Sequence, residues 1–247
     1  MAGVNSSGAK YTPRPMSNRT TYALGAVAVA VVVVLVAYFM HSSGGGAAAK
    51  VRDDGYGAAH DTSVSALLDS DGAIVLGKSN VKTIDVFEDP MCPSCGALEH
   101  IYGQEIAHRI DDGKLAVRYR LVNFLDPRSS SKDYSTRAIA ANECVAGDGD
   151  GPLYSRFHQA MFTTEQPTEG GGKTDEQIAA VAKSAGASAD VVTCITKKER
   201  VDTARAHADA ALAALKKAAG DVATPTVLNN GKEVDVNDSD WVVKAAQ

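Results

Sequence analysis

From Ser63 onward the spacing of apolar positions separates short strands from helices. Ser63 to Asp69 predicts a short helix, and AIVLG, Ala73 to Gly77, a short strand. VKTIDVF, Val81 to Phe87, is β-branched and apolar and stops at the turn-like EDP, so it predicts a strand. Pro93 suits only the first turn of a helix, and Leu98, Ile101, Ile106 and Ile110 follow it at broadly helical spacing. From Lys114 to Leu125, apolar Leu115, Val117, Tyr119 and Leu121 alternate with Arg118 and Arg120, the period of a strand. Strand, helix and strand make a βαβ unit. Residues 126–222 are almost wholly helical in period, with helices expected near Ser131 to Ala146, Pro152 to Phe162, Thr174 to Ala185 and Ser188 to Ala218. Thr226 to Asn229 and Glu233 to Val236 flank Asn230-Gly231 as a hairpin, and Asp238 is placed to cap a terminal helix with Trp241, Val242 and Val243. The fold class is α/β with an inserted helical block.

The N-terminal region has a different pattern. Residues 1–21 carry Lys10, Arg14 and Arg19 and no acid, and Tyr22 to Met40 runs without a charge. As a helix that run is ~28 Å long, enough to span a bilayer. A cleaved signal peptide is the alternative, with Ala47 to Ala49 as its small-residue site. As an uncleaved anchor, its basic flank puts the N-terminus in the cytoplasm and the rest of the chain at the extracytoplasmic side of the cell membrane. Residues 41–60, opening with Ser42 to Gly46, read as a flexible linker, and residues 61–247 as one compact domain.

Net charge is −5, with no basic cluster beyond the N-terminal tail, which argues against nucleic acid as a partner. An outside location is oxidising and permits disulfides. Four cysteines are present, two of them as Cys92-Pro93-Ser94-Cys95. Zinc wants a second C-x-x-C pair or two suitably spaced histidines, and neither is here, so the pair calls for no metal and no cofactor. As a staple it would close too short a loop to add much stability. At a strand-to-helix junction, by contrast, the unpaired N–H groups of Ser94 and Cys95 and the helix dipole stabilise a Cys92 thiolate, a good leaving group.

IDVFEDPMCPSCGALE, followed some 130 residues later by DVATPTVLNNG, resembles the thioredoxin superfamily, and the helical insertion makes the chain similar to its DsbA branch. The resemblance implies that Cys92 is the exposed nucleophile and Cys95 its shielded partner, and that Thr224 and Pro225 form a cis-proline loop that faces them and receives substrate. It implies a membrane-tethered thiol:disulfide oxidoreductase acting on exported proteins with cysteines. Reoxidation would fall to a quinone-linked membrane partner of the DsbB or vitamin K epoxide reductase type. Two departures stand out. Many members carry a buried acid six residues before the first cysteine, where this chain has Val86, with Asp85, Glu88 and Asp89 nearby; that argues against efficient reductase chemistry. Ser94 stands where the best-known DsbA pair has histidine, so with Glu88, Asp89 and Glu99 close in sequence the thiolate should be less favoured and the oxidant milder.

Cys144 and Cys194 lie on inward faces of predicted helices, either as buried free thiols or, more in keeping with an oxidising compartment, as a structural disulfide. His158 and His207 read as helix-surface or satisfied core residues. Two other functions remain: an extracytoplasmic reductase or isomerase, and a tethered binding module or chaperone that holds unfolded chains beside Pro225.

Overall fold

The strands are β1 (Ser65–Leu68), β2 (Ile74–Gly77), β3 (Thr83–Glu88), β4 (Ala116–Leu121), β5 (Thr226–Asn229) and β6 (Lys232–Glu233). The helices are α1 (Pro93–Asp111), α2 (Tyr134–Ala146), α3 (Gly151–Phe162), α4 (Asp175–Ala185), α5 (Ala189–Thr196), α6 (Val201–Ala219) and α7 (Trp241–Ala245). This computed structural model describes residue 52 and residues 54–247. The expected tail at 1–21, the membrane helix at 22–40 and most of the linker before residue 54 lie outside the described residues. Among the described residues, no helix is long and apolar enough to cross a membrane.

One sheet runs in the order β1-β2-β4-β3-β5-β6. Only β3 and β4 pair in parallel, joined through α1 as the expected βαβ unit; the other neighbours are antiparallel. The two-residue period of β3 sorts its side chains. Ile84 and Val86 enter the main core with Val117 and Tyr119 of β4, while Phe87 joins Leu228, Ala211 and Leu215 in a smaller cluster under α6. α1 buries Leu98, Tyr102, Ile106 and Ile110 at four-residue intervals, and Trp241 of α7 packs edge-on against Tyr102. The insertion, α2 to α6, enters the chain between β4 and β5, and a short 3-10 turn (Asp126–Arg128) leads into it.

Four expectations need correction. Ser63 to Asp69 is not a helix: Ser65–Leu68 pairs antiparallel with β2, and Gly72 turns the chain at φ 82. Asp71-Gly72 between two short apolar runs was the hairpin signal. The expected helix from Ser188 to Ala218 is two helices, broken at residues 197–200. Lys197-Lys198-Glu199-Arg200 offers no apolar side chain to bury, and Lys198 takes a left-handed conformation at φ 59. In the last hairpin Asn230 (φ 52) and Gly231 (φ 73) form the two-residue turn, so Asn229 faces Lys232 and β6 begins there rather than at Glu233. The terminal helix is N-capped at Asp240, while the Asp238 side chain binds the Asp240 N–H and Lys244.

The end of the expected linker is also packed. Tyr56 donates to Asp111 at 2.7 Å, Arg52 to Glu105 at 2.8 Å, and Ala59 is buried with its N–H on Ser155 Oγ. The folded region therefore starts before Asp61.

Within the insertion, Cys144 of α2 is bonded to Cys194 of α5 (S–S 1.97 Å), closing a separation of 50 residues. A loop of that length corresponds to about 4 kcal/mol of chain entropy. Replacing both cysteines by alanine should lower unfolding free energy by ~2 to 4 kcal/mol. Urea denaturation checks this, and a loss under ~1 kcal/mol would contradict it.

Candidate active site

Asp89, the residue after β3, is fully buried and accepts three hydrogen bonds: from Met91 N (2.9 Å), Leu125 N (3.0 Å) and Ser135 Oγ (2.5 Å). These tie the end of β3 to the segment after β4 and to the first helix of the insertion. The Asp89 carbonyl also receives the Cys92 N–H at 2.8 Å. Burial raises the Asp89 carboxyl to about 6 against the pull of these donors. The sequence grouped Asp89 with charges that burden the thiols. Its contacts make it the clamp of the turn that presents them.

Cys92 is the N-cap of α1, with Pro93 at the first helical position and no acid in the first turn. Its carbonyl accepts from Cys95 N (3.1 Å), Gly96 N (3.2 Å) and Gln166 Nε2 (2.9 Å). Gln166 comes from the loop after α3, so the insertion holds the turn directly. Gly96 leaves room for it: a Cβ there would meet Gln166 Oε1 at 2.2 Å and the Phe162 carbonyl at 2.7 Å. Nothing in the local sequence marked Gln166.

Cys92 and Cys95 are free thiols. Cys92 is 7 % exposed and Cys95 is fully buried, while Pro93 and Ser94 are exposed. The structure brings Thr224 and Pro225 against the pair: the Thr224–Pro225 peptide is cis, and Cys92 Sγ lies 3.4 Å from the Thr224 carbonyl. The two sulfurs differ in charge state. A hydrogen bond from Cys95 draws Cys92 down to about 5 against the opposing effect of burial, with help from Thr224 and the backbone N–H groups of Cys95 and Ser94. The Thr224 hydroxyl has no other partner among the described residues and can serve the thiolate, whereas a protonated Cys92 would donate to the Thr224 carbonyl. Burial first, then the bond to Cys92 and the charge of Glu88, push Cys95 well up. The charge of Glu88 thus weighs on Cys95, while Cys92, although it also feels Glu88, is drawn down by its hydrogen-bond donors.

Val86 occupies the position expected to lack the buried acid, and the next residue on the same face of β3 is Glu88. It is fully buried beside Glu99, on the α1 stripe one turn after Cys95, and His158 of α3. His158 Nε2 lies 3.3 Å from Glu88 Oε2 and 3.6 Å from Glu99 Oε1. Its ring packs on Tyr119 (4.0 Å between centroids) and Phe162 (4.6 Å). His158 is thus the core residue of the two expected alternatives, with Glu88 and Glu99 as its ion-pair partners. His207 is partly exposed and pairs with Glu143 at 2.8 Å.

With this geometry in view, the comparisons with known proteins are consistent. A family profile described as thioredoxin matches residues 69–246. Among solved structures, MdbA, a thiol-disulfide oxidoreductase of Corynebacterium diphtheriae, is 34 % identical with TM-score 0.67, over 76 % of this chain and 95 % of that one. DsbA of Mycobacterium tuberculosis, in its oxidised form, is 27 % identical with TM-score 0.54, over 74 % and 97 %. The serine/threonine-protein kinase PknE of M. tuberculosis is 38 % identical over 180 residues, 71 % of this chain; the chain spans about a third (31 %) of that kinase's length. Sheet order, the C-x-x-C pair at the start of α1 and the matched profile agree: the chain belongs to the thioredoxin family.

Proposed function

We propose that the protein is a thiol:disulfide oxidoreductase that introduces disulfides into exported proteins, held at the extracytoplasmic face of the membrane by the apolar run at 22–40. The observation that carries this reading is the split between an ionisable Cys92 at the helix start and a neutral, enclosed Cys95. In the oxidised protein a substrate thiolate attacks Cys92 Sγ, the Cys92–Cys95 bond breaks, and Cys95 leaves and takes a proton. The second substrate thiolate then attacks the substrate sulfur of the mixed disulfide and expels Cys92 as a thiolate. The substrate dithiol loses two electrons and the cysteine pair gains them. Stabilising the Cys92 thiolate stabilises the reduced protein and favours transfer in this direction.

The exposed Pro93 and Ser94 and the Thr224–Pro225 loop form the surface on which a substrate chain would lie. A quinone-linked membrane oxidase of the DsbB or vitamin K epoxide reductase type would restore the disulfide. The likeness to MdbA and DsbA supports exchange chemistry, and the lowered Cys92 supports the oxidising direction over the reductase or isomerase.

Equilibration with glutathione should place the pair between the ~ −120 mV oxidant and the ~ −230 mV glutaredoxins. Thr224→Val should lower the potential, making the pair a weaker oxidant, by about 30 mV for each tenfold loss of thiolate. A Cys92→Ser, Cys95→Ser protein should not oxidise a reduced, unfolded substrate. A wild-type potential below ~ −230 mV would favour the reductase, and full activity of the double variant would favour a binding module.

A pH dependence follows with a definite sign. Cys92 sits at about 5 in the folded reduced protein, against ~8.5 unfolded. A depressed acid contributes its stability fully above the unfolded value and loses it as pH falls through the folded value. The reduced form should therefore gain up to about 5 kcal/mol over the oxidised form between pH ~5 and ~8.5. Cys95, raised and neutral there, does not offset it. Melting both forms across this range checks it; a difference independent of pH would contradict it.

A further inference from the structure

Glu88, Glu99 and His158 come from β3, α1 and the insertion helix α3, so no local spacing in the sequence links them, and the C-x-x-C pair gave no reason to expect a metal. In the fold they converge. One ligand atom of each lies within 4.8 Å of the other two, and the residues are 0 %, 4 % and 2 % exposed. Neither oxygen of Glu88, nor Glu99 Oε1, nor either ring nitrogen of His158 has a hydrogen-bond partner among the described residues. His158 Nε2 reaches the two carboxylates only at ion-pair range, so three separate elements present buried polar atoms to one another without a hydrogen bond, an arrangement that a cation would satisfy.

The distances discriminate between a shared proton and a cation. A charge-assisted N–H···O bond is ~2.7 to 2.9 Å long, while His158 Nε2 stands 3.3 Å and 3.6 Å from the two carboxylates. Ligand atoms ~2.0 to 2.2 Å from a tetrahedral zinc lie about 3.3 to 3.6 Å apart. The two separations from His158 match such edges, and all three ligand atoms lie within 4.8 Å of one another. A cavity of about 10 Å³ borders Glu99 and His158, though not Glu88, close to the ~10 to 15 Å³ that one water needs. Glu99 also borders an open groove of about 380 Å³ with His100, Gln104 and Gln159, which gives an entry path.

We propose that Glu88, Glu99 and His158 form a binding site for a first-row divalent cation of the zinc class, joining the insertion to the strand and helix that carry the cysteines. One imidazole and two carboxylates suit zinc, and the four oxygens that two carboxylates can offer at most would not satisfy calcium, which takes six to eight oxygen ligands. The site does not depend on the exchange reading, since no cysteine is a ligand.

The test uses the full chain in detergent, treated with chelator and with Cys92 and Cys95 oxidised to a disulfide so that no thiolate competes. Titration with Zn²⁺ should show one saturable site with proton release, and Zn²⁺ should raise the melting temperature. Co²⁺ should give tetrahedral d–d absorption without a sulfur-to-metal band. Glu88→Gln and His158→Ala should weaken Zn²⁺ binding by more than the ~10- to 100-fold lost with an outer-shell partner. Absence of saturable binding to the oxidised wild type would overturn the proposal and leave the cluster to protons. Binding that persists in folded variants, or a thiolate band with Co²⁺, would overturn it too. Should the variants not fold, the wild-type titration and Co²⁺ spectrum decide.

Discussion

The site depends on one carboxylate that is not part of its chemistry. Asp89 collects the Met91 and Leu125 N–H groups and the Ser135 hydroxyl, and its carbonyl takes the Cys92 N–H. A buried acid with this many donors is costly to strip, since each orphaned partner would cost ~1 to 3 kcal/mol. It fixes where β3 stops and where α1 starts, so that Cys92 falls at the N-cap. Gln166 then grips the same turn from the insertion. The helical block is therefore a structural part of the redox centre as well as a cover for it.

From that placement the asymmetry of the pair follows. Cys92 faces the N–H groups of the helix start and the Thr224 hydroxyl, while Cys95 lies one turn inward, enclosed and near Glu88. Opposite environments a few ångströms apart push two identical thiols in opposite directions. The same period-two geometry that gives β3 an apolar Val86 puts Glu88 on the same inner face, so the acid is displaced along the strand rather than absent.

Much of this could be read from the chain. The strand before the cysteines, the helix opened by Pro93, and the alternation of Leu115 to Leu121 each carry a strong local pattern, and they recur as β3, α1 and β4. The cysteine pair was visible as a local motif and Thr224-Pro225 only through the family resemblance, and the fold sets the two side by side. What failed was set by tertiary pairing: Ser65–Leu68 is too short to show a period and becomes a strand because β2 lies beside it. Tyr56 and Ala59 sit in a stretch too polar and glycine-rich to suggest packing, yet α1 and Ser155 supply the partners. Gln166 acts from a loop some 70 residues from the carbonyl it holds, and no spacing rule reaches that far. Glu88 and Glu99 were visible as charges; that they share an inner face with His158 follows from the strand and helix periods combined with a packing of α3 that sequence does not specify.

The central claim is that this fold, without a histidine between the cysteines, still holds Cys92 as a thiolate at neutral pH. Ultraviolet thiolate absorbance of the reduced protein, followed against pH with a Cys92→Ala variant, which should lose the first transition, to assign the sulfur, measures it directly. The account predicts a first transition near pH 5 that belongs to Cys92, with Cys95 silent up to alkaline pH. A first transition near the ~8.5 of an ordinary thiol, or one that belongs to Cys95, would contradict it.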